Sequence, residues 1–97
     1  MKKMYPHMAK MILKSRGVQG DPGYVSQSEL ASSLGYKNGQ YISNVERELS
    51  TLPDTKIIKL AEQLKVSTDL VIQTKLDDIK HNLERLIQET STTETNA

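Results

Sequence analysis

Residues 26–47 read SQSELASSLGYKNGQYISNVER, and this stretch decides the fold of the 97-residue chain. Its apolar residues are few and occur only where two short helices would touch each other. Serine, glutamine and asparagine fill the positions between them. The stretch therefore predicts two short helices joined by a tight turn, with one polar helix surface held outward.

The first of these helices has a start signal and a stop signal. Ser26 can accept a hydrogen bond from the backbone N–H three residues on, and Glu29 can reach back, which makes a capping box. Gly35 follows the last apolar residue, where a helix ends most easily in the left-handed conformation. The buried face is predicted to consist of Leu30, Ala31 and Leu34.

The second helix is expected to begin near Asn38 or Gly39, with Asn38 as a plausible N-cap. Its predicted buried stripe is Ile42, Val45 and Leu49. The remaining side chains face other directions, and these are Gln40, Tyr41, Ser43, Asn44 and Arg47.

This order and spacing resemble the helix-turn-helix of the Cro and phage-repressor class, often called the XRE family. The matching residues lie between 26 and 66 and are Gln27, Leu30-Ala31, Leu34-Gly35, Ile42-Ser43, Val45-Glu46-Arg47, Pro53, Leu60-Ala61, Leu64 and Val66. Two features depart from the family pattern. Six residues separate Gly35 from Ile42, one more than usual, and position 48, often glycine, is Glu48.

The resemblance implies an all-α fold, a compact bundle of about five helices of the lambda-repressor-like kind with an extended C-terminal helix. It also implies a sequence-specific, double-stranded DNA-binding transcriptional regulator, expected to be a repressor. The helix at about 39–48 would enter the major groove. The protein would be cytoplasmic, encoded by a bacterium or a phage, and associated with the nucleoid when bound to DNA.

Residue roles follow from that orientation. Gln40 and Asn44 are the first choices for base contacts, because amides suit the donor and acceptor of adenine. Ser43 and Tyr41 come next, with Tyr41 able to meet a thymine methyl group or a phosphate. The predicted contacts to the DNA backbone are Gln27, Lys37, Asn38 and Arg47.

Glu46 has a different implied role. In the family, an acid at this position holds a basic residue of the first helix, so Glu46 is expected to be structural. Lys10 and Lys14 are the candidate partners, and the sequence does not choose between them.

Composition agrees with a small helical protein. The chain has no cysteine, tryptophan or phenylalanine, so a disulfide framework and a thiolate metal site are excluded. Residues 1–50 carry seven Lys and Arg against four Asp and Glu, and residues 51–97 carry six against eight. The front half is modestly basic, but the formal net charge of +1 alone does not indicate nucleic-acid binding. The positively charged amino terminus lacks the continuous apolar core of a signal peptide.

The flanking segments complete the bundle. Residues 7–16 predict a first helix, and the glycine-rich residues 17–25 predict a loop, either a surface insertion, which we favour, or an arm on the DNA backbone. Asp54 is expected to cap a helix whose stripe is Ile57, Ile58, Leu60, Ala61 and Leu64. Ser67-Thr68-Asp69 is expected to cap the next helix, which would run to about Gln88.

The last helix carries a short heptad pattern. Its apolar residues are spaced 4, 3, 4 and 3 apart, and they are Ile72, Leu76, Ile79, Leu83 and Leu86. We favour homodimerisation through these residues; the alternative is that the helix folds back onto its own domain. The expected organisation is a DNA-binding domain at 1–74, with the helix-turn-helix at about 26–48, a dimerisation helix at 75–89 and a disordered tail at 90–97.

No pattern of catalytic residues is present, so an enzyme is rejected and neither cofactor nor metal is expected. His7 and His81 are distant in sequence, and no phosphate loop or metal-ligand spacing occurs. The rival to DNA binding is a protein-interaction module, such as an antitoxin or a regulator whose last helix binds a second protein. The absence of acids before Glu46 on the second helix favours DNA. The partners expected are an inverted-repeat operator and a second copy of the chain.

Overall fold

The computed structural model describes residues 3–95, with side chains described for 3–90. In this part of the chain five α-helices are arranged around one core, with no strand. In chain order the elements are α1 (Pro6–Arg16), α2 (Gln27–Ser33), α3 (Gln40–Glu46), a 3-10 turn (Asp54–Lys56), α4 (Ile57–Leu64) and α5 (Thr68–Thr95). The all-α bundle predicted from the sequence is confirmed.

The helix ends follow local sequence signals. Ser26 Oγ accepts a hydrogen bond from Glu29 N at 3.0 Å at the start of α2, as the capping motif predicts. Gly35 adopts a φ of +91° after α2, a conformation that glycine takes without steric cost. Ser67 Oγ accepts from Leu70 N at 3.1 Å at the start of α5. These three signals account for much of the helix placement.

The core is aliphatic, since the chain has no large aromatic side chain except tyrosine. Four helices and the segment before α4 supply it, and α5 adds Val71. Its fully buried members are Met8, Ile12, Leu30, Leu34, Ile42, Val45, Leu52, Leu60 and Val71. Among the described residues, no helix is both long and apolar enough to span a membrane.

After Val71, the inner face of α5 is polar and fastens the helix to the start of α1. Asp78 is 2% exposed, and its two carboxylate oxygens accept hydrogen bonds from His7 N at 2.8 Å and Met8 N at 3.0 Å. Asn82 donates to Met4 O at 2.8 Å and accepts from Met4 N at 2.9 Å. α1 begins without a local side-chain cap, so Asp78 supplies the missing acceptors from a distant part of the chain.

Three sequence predictions about buried or capping residues are wrong. Leu49 is 51% exposed, because α3 ends at Glu46 and the next residues turn the chain away from the core. Ile58 is 65% exposed, because it lies on the outer face of α4. Asp54 caps no helix; its carboxylate pairs with Lys75 Nζ at 2.9 Å.

α5 is longer than predicted. It continues to Thr95, and no glycine or proline in the sequence stops it near Gln88. A disordered tail was expected from residue 90, but the backbone is helical as far as 95, and residues 96 and 97 lie outside the described part. The expected domain boundary at 74/75 falls inside this one helix, whose first turns pack on α1 and α4.

Candidate nucleic-acid interface

The connection between α2 and α3 brings their backbones unusually close together. A Cβ on Gly39 would lie 3.2 Å from Gln27 Cβ and 3.3 Å from Ser28 N, so a larger residue would require the start of α2 to move by a few tenths of an ångström. Asn38 Oδ1 accepts a hydrogen bond from Gln40 N at 2.9 Å and thereby caps α3, although the N-cap position itself is Gly39. The longer turn therefore still sets α3 tightly against the start of α2.

A buried ion pair fixes α3 against α1. Arg16 Nε lies 2.6 Å from Glu46 Oε2, and Arg16 Nη2 donates to Glu46 Oε1 at 3.1 Å. The two side chains are 10% and 7% exposed. Glu46 thus has the structural role that the resemblance implies. Its partner is Arg16, so both Lys10 and Lys14 were wrong.

Arg16 also holds the loop that precedes α2. It donates to Val25 O at 3.0 Å and to the Tyr24 hydroxyl at 3.3 Å. Burial lowers the pKa of Arg16, but its hydrogen bonds to Glu46 and Tyr24 outweigh this effect, and the pKa ends above its ordinary value. The guanidinium therefore ties α1, the 17–25 loop and α3 together as a permanent cation.

Gln27 joins the same network from α2. Its Nε2 donates to Glu46 Oε1 at 2.7 Å, so the Glu46 carboxylate receives donors from two helices. An amide nitrogen carries two hydrogens, and one of those on Gln27 is left after this bond. The predicted phosphate contact by Gln27 is therefore compatible with its place in the network.

The outward side of α3 is a strip of polar side chains. Ile42 and Val45 are fully buried against the core, whereas Gln40 and Arg47 are exposed and Ser43 and Asn44 are half-buried. Gln40 Nε2 donates to Asn44 Oδ1 at 3.0 Å, and Arg47 Nη2 donates to the same oxygen at 2.8 Å. Among the described residues, α1 and α2 are the helices that α3 packs on, and no other described helix covers this strip.

Tyr41 is placed differently from the other predicted base-reading residues. Its ring stacks on Tyr36 with centroids 4.5 Å apart, and its hydroxyl donates to Thr51 O at 2.6 Å. Burial raises the pKa of the neighbouring Tyr36 hydroxyl. Both rings pack against the core, so a contact from the Tyr41 hydroxyl to DNA would require loss of an internal hydrogen bond.

Lys56, like Arg16, makes contacts that were not predicted from the sequence. Its ammonium donates to Leu34 O at 2.7 Å, at the end of α2, and lies 5.4 Å from the centre of the Tyr36 ring. A cation at a helix C-terminus satisfies a carbonyl that the helix leaves unpaired. Lys37, in the turn, is exposed, as its predicted contact with the DNA backbone requires.

The two histidines meet in space although they are distant in sequence. The rings of His7 and His81 are 6.2 Å apart, and His7 Nδ1 lies 3.0 Å from Asp78 Oδ1. His81 is half-buried here, whereas the sequence placed it on the outer side of α5. Within the part of the chain that the structure describes, no group of three or more side chains is arranged to hold a metal ion.

Comparison with known proteins agrees with this geometry. The family model described as helix-turn-helix matches residues 23–71, which is just over half of the chain. These residues include α2, the turn, α3, α4 and the first turn of α5. No curated protein and no solved structure matches the chain. The chain belongs to the helix-turn-helix family, in the Cro and phage-repressor class that its sequence resembles.

Proposed function

We propose that the protein is a sequence-specific transcriptional regulator, acting as a repressor, that inserts α3 into the major groove of double-stranded DNA. The observation that carries the proposal is the uncovered polar strip on α3. A buried ion pair and a close turn hold that strip rigidly, and its side chains are amides, a hydroxyl and a guanidinium. These groups hydrogen-bond to base edges and phosphates, and membership of the family supports DNA binding.

The roles of individual residues are part of the proposal. Gln40, Asn44 and Ser43 face the bases, because they lie on the outward side of α3. Arg47, at the end of α3, contacts phosphate, as do Lys37, Asn38 and Gln27 around the turn. We assign Tyr41 to the support of α3, since its ring and its hydroxyl are both engaged inside the protein.

The proposal includes a homodimer formed through α5. The five heptad residues Ile72, Leu76, Ile79, Leu83 and Leu86 each leave 43% to 54% of their surface exposed, and Ile87 leaves 63% exposed. The polar face of α5, with Asp78 and Asn82, is the one bonded to the start of α1, and this leaves about half of each heptad side chain accessible, which supports association over folding back. With 28 residues α5 is roughly 42 Å long, which exceeds the 25 Å breadth of the molecule.

We assign a second copy of the chain as the partner of the α5 seam, which is the row of exposed apolar side chains from Ile72 to Ile87. The seam follows heptad spacing, which makes it complementary to itself. Six side chains about half exposed correspond to on the order of 1,000 Å² across two copies, which is the lower bound of a specific interface. In a parallel pair, Lys75 would lie opposite Lys80 of the second copy, and the two positive charges would repel each other. Lys75 is bonded within its own chain to Asp54 and to Leu52 O, and this ion pair reduces that repulsion. Two copies would place two α3 helices on half-sites roughly 34 Å apart.

Selection of bound duplexes from a random library tests the DNA-binding proposal. The wild-type protein should recover a preferred inverted repeat, and Gln40→Ala should bind that site about ten-fold or more weakly and lose the preference at one base pair. Gln27→Ala should weaken all sequences alike. Gln73→Ala is the matched control, since Gln73 is exposed and donates to Asp77 four residues on, as Gln40 does to Asn44. Equal affinities for all variants would refute the proposal.

Light scattering at micromolar concentration tests the dimer. The wild-type protein should have twice the mass of one chain. Leu76→Lys should weaken association at least about ten-fold, because it places a charge in the seam. Ile58→Lys, which changes an isoleucine of similar exposure on α4, should leave the dimer intact. A wild-type mass of one chain would contradict the two-half-site arrangement and favour a foreign protein as the partner of α5.

A further inference from the structure

The hydrogen bonds on the outward strip of α3 fix the orientation of one amide. Arg47 Nη2 donates to Asn44 at 2.8 Å, and a guanidinium has no acceptor. Asn44 must therefore turn its oxygen, and not its nitrogen, toward Arg47. Because Gln40 approaches the same oxygen at 3.0 Å, it must present its NH₂ group there.

Asn44 is left with only donors to offer. A carbonyl oxygen has two lone pairs, and Gln40 and Arg47 occupy both of those on Asn44. The Nδ2 group of Asn44 makes no hydrogen bond with any described residue. Gln40, by contrast, bonds no other described residue through its second Nε2 hydrogen or through Oε1, so it has both a donor and an acceptor for DNA.

This difference matters because the bases present different patterns in the major groove. Adenine offers the N7 acceptor and the N6 donor side by side, so one amide must supply a donor and an acceptor to read both. Guanine offers two acceptors, N7 and O6, and thymine offers the O4 acceptor. Gln40 can read adenine while it stays bonded to Asn44. Asn44 can accept from adenine N6 only if it releases Gln40 or Arg47.

We propose that Asn44 is a donor-only base-reading residue that contacts the acceptors of guanine or thymine, and that it also positions Gln40 to read adenine. The proposal rests on the proposed function, since it assumes that α3 lies in the major groove. It replaces the symmetrical expectation that both amides read adenine. Asn44 then has two separable effects on specificity, one through its own NH₂ group and one through its oxygen.

Two substitutions at Asn44 separate these effects. Asn44→Asp keeps oxygen acceptors for Gln40 and Arg47 but removes the donor, and Asn44→Ala removes both. Sequences selected by Asn44→Asp should retain the adenine preference that depends on Gln40 and lose the preference at the neighbouring base pair. Asn44→Ala should lose the neighbouring preference and weaken the adenine preference as well. The added negative charge of Asn44→Asp lowers affinity for every sequence, so the selected pattern is the readout.

Modified bases in the selected duplex identify the atoms that are read. Removing N7 or the N6 amino group from the adenine assigned to Gln40 should weaken wild-type binding about ten-fold, with a much smaller effect on Gln40→Ala. At the base pair assigned to Asn44, removal of guanine N7 or of thymine O4 should weaken the wild-type protein but not Asn44→Asp. The modification that weakens binding shows whether Asn44 contacts guanine or thymine.

The outcomes distinguish this inference from the proposed function. The donor-only assignment would be overturned if the base pair assigned to Asn44 contains adenine and if removal of its N6 group weakens binding of the wild-type protein but not of Asn44→Ala. An unchanged adenine preference in Asn44→Ala would overturn the positioning role. In both cases a wild-type protein that selects a site read by Gln40 would leave the proposed function standing. A wild-type protein that recovers no preferred sequence would overturn both.

Discussion

The ion pair between Arg16 and Glu46 is expected to govern stability far more than surface pairs do. Its two side chains are 10% and 7% exposed, and two contacts of 2.6 Å and 3.1 Å join them. The perturbation is a double-mutant cycle with Arg16→Met, Glu46→Leu and the two together. Each replacement is apolar and roughly fills the space of the side chain it removes, so the cycle separates the charge interaction from the loss of volume.

The expected magnitudes follow from what each change leaves behind. A single substitution strands the other charge in the interior, which costs about 3–5 kcal/mol. This is a large part of the roughly 5–15 kcal/mol that a domain has in total. The double variant strands no charge, but Gln27 loses its acceptor at Glu46 and Val25 O loses its donor from Arg16, at a cost of about 1–3 kcal/mol for each group; each of these losses is already part of one single cost. The two single costs should therefore exceed the double cost by at least about 2 kcal/mol.

Urea unfolding followed by far-ultraviolet circular dichroism measures the cycle. All four proteins must be compared at one concentration, because a dimer's stability depends on it. Single costs that add up to the double cost, or single substitutions that each cost less than about 1 kcal/mol as in an exposed pair, would show that the two charges do not depend on each other.

Other positions give independent tests. Glu48→Gly should stabilise the fold by up to about 1 kcal/mol, because Glu48 has a φ of +63°; a lower midpoint of thermal unfolding would contradict this. Gly39→Ala should destabilise the fold by about 1–3 kcal/mol, since the new Cβ meets the backbone at the start of α2; an unchanged urea midpoint would show that the turn has room. Asp78→Ala should lower the free energy of unfolding by about 2–4 kcal/mol. It should also speed hydrogen exchange at the backbone amides of His7 and Met8, which donate to the Asp78 carboxylate. Unchanged exchange at these two amides would refute the capping role of Asp78.

Local features of this fold are readable from the sequence because they depend on neighbouring residues. The Ser26 cap, the left-handed Gly35 and the buried pair Ile42 and Val45 all follow from spacing within one helix or turn. The predicted burial of Leu49 is wrong, because α3 ends at Glu46, three residues before Leu49. The position of that end depends on packing that the periodicity does not report.

Contacts between residues that are distant in the sequence were not predicted. Asp78 caps α1 from a separation of 70 residues or more, and no local pattern announces such a pairing. Arg16 was more accessible to reasoning. It lies four residues after Ile12, on the same face of α1, so its burial beside Ile12 was implied by helical spacing.

The candidate site was predicted in outline and refined in detail. The outward position of Gln40, Asn44 and Arg47 matches the expectation from the sequence. The hydrogen bonds among them, and the engagement of Tyr41 with Tyr36, depend on rotamers and on neighbours from other segments. Those details decide which chemical groups remain to meet a base, so they changed the assignment of roles.

Titration of the isotopically labelled protein with its selected duplex, followed by nuclear magnetic resonance, shows which surface of the protein meets DNA. The side-chain NH₂ signals of Gln40 and Asn44 and the backbone amides of α3 should shift most, with smaller changes at the start of α2 and none specific to the outer face of α4. Shifts concentrated on α5 or spread evenly over the surface, with the signals of α3 unmoved, would show that α3 does not enter the major groove.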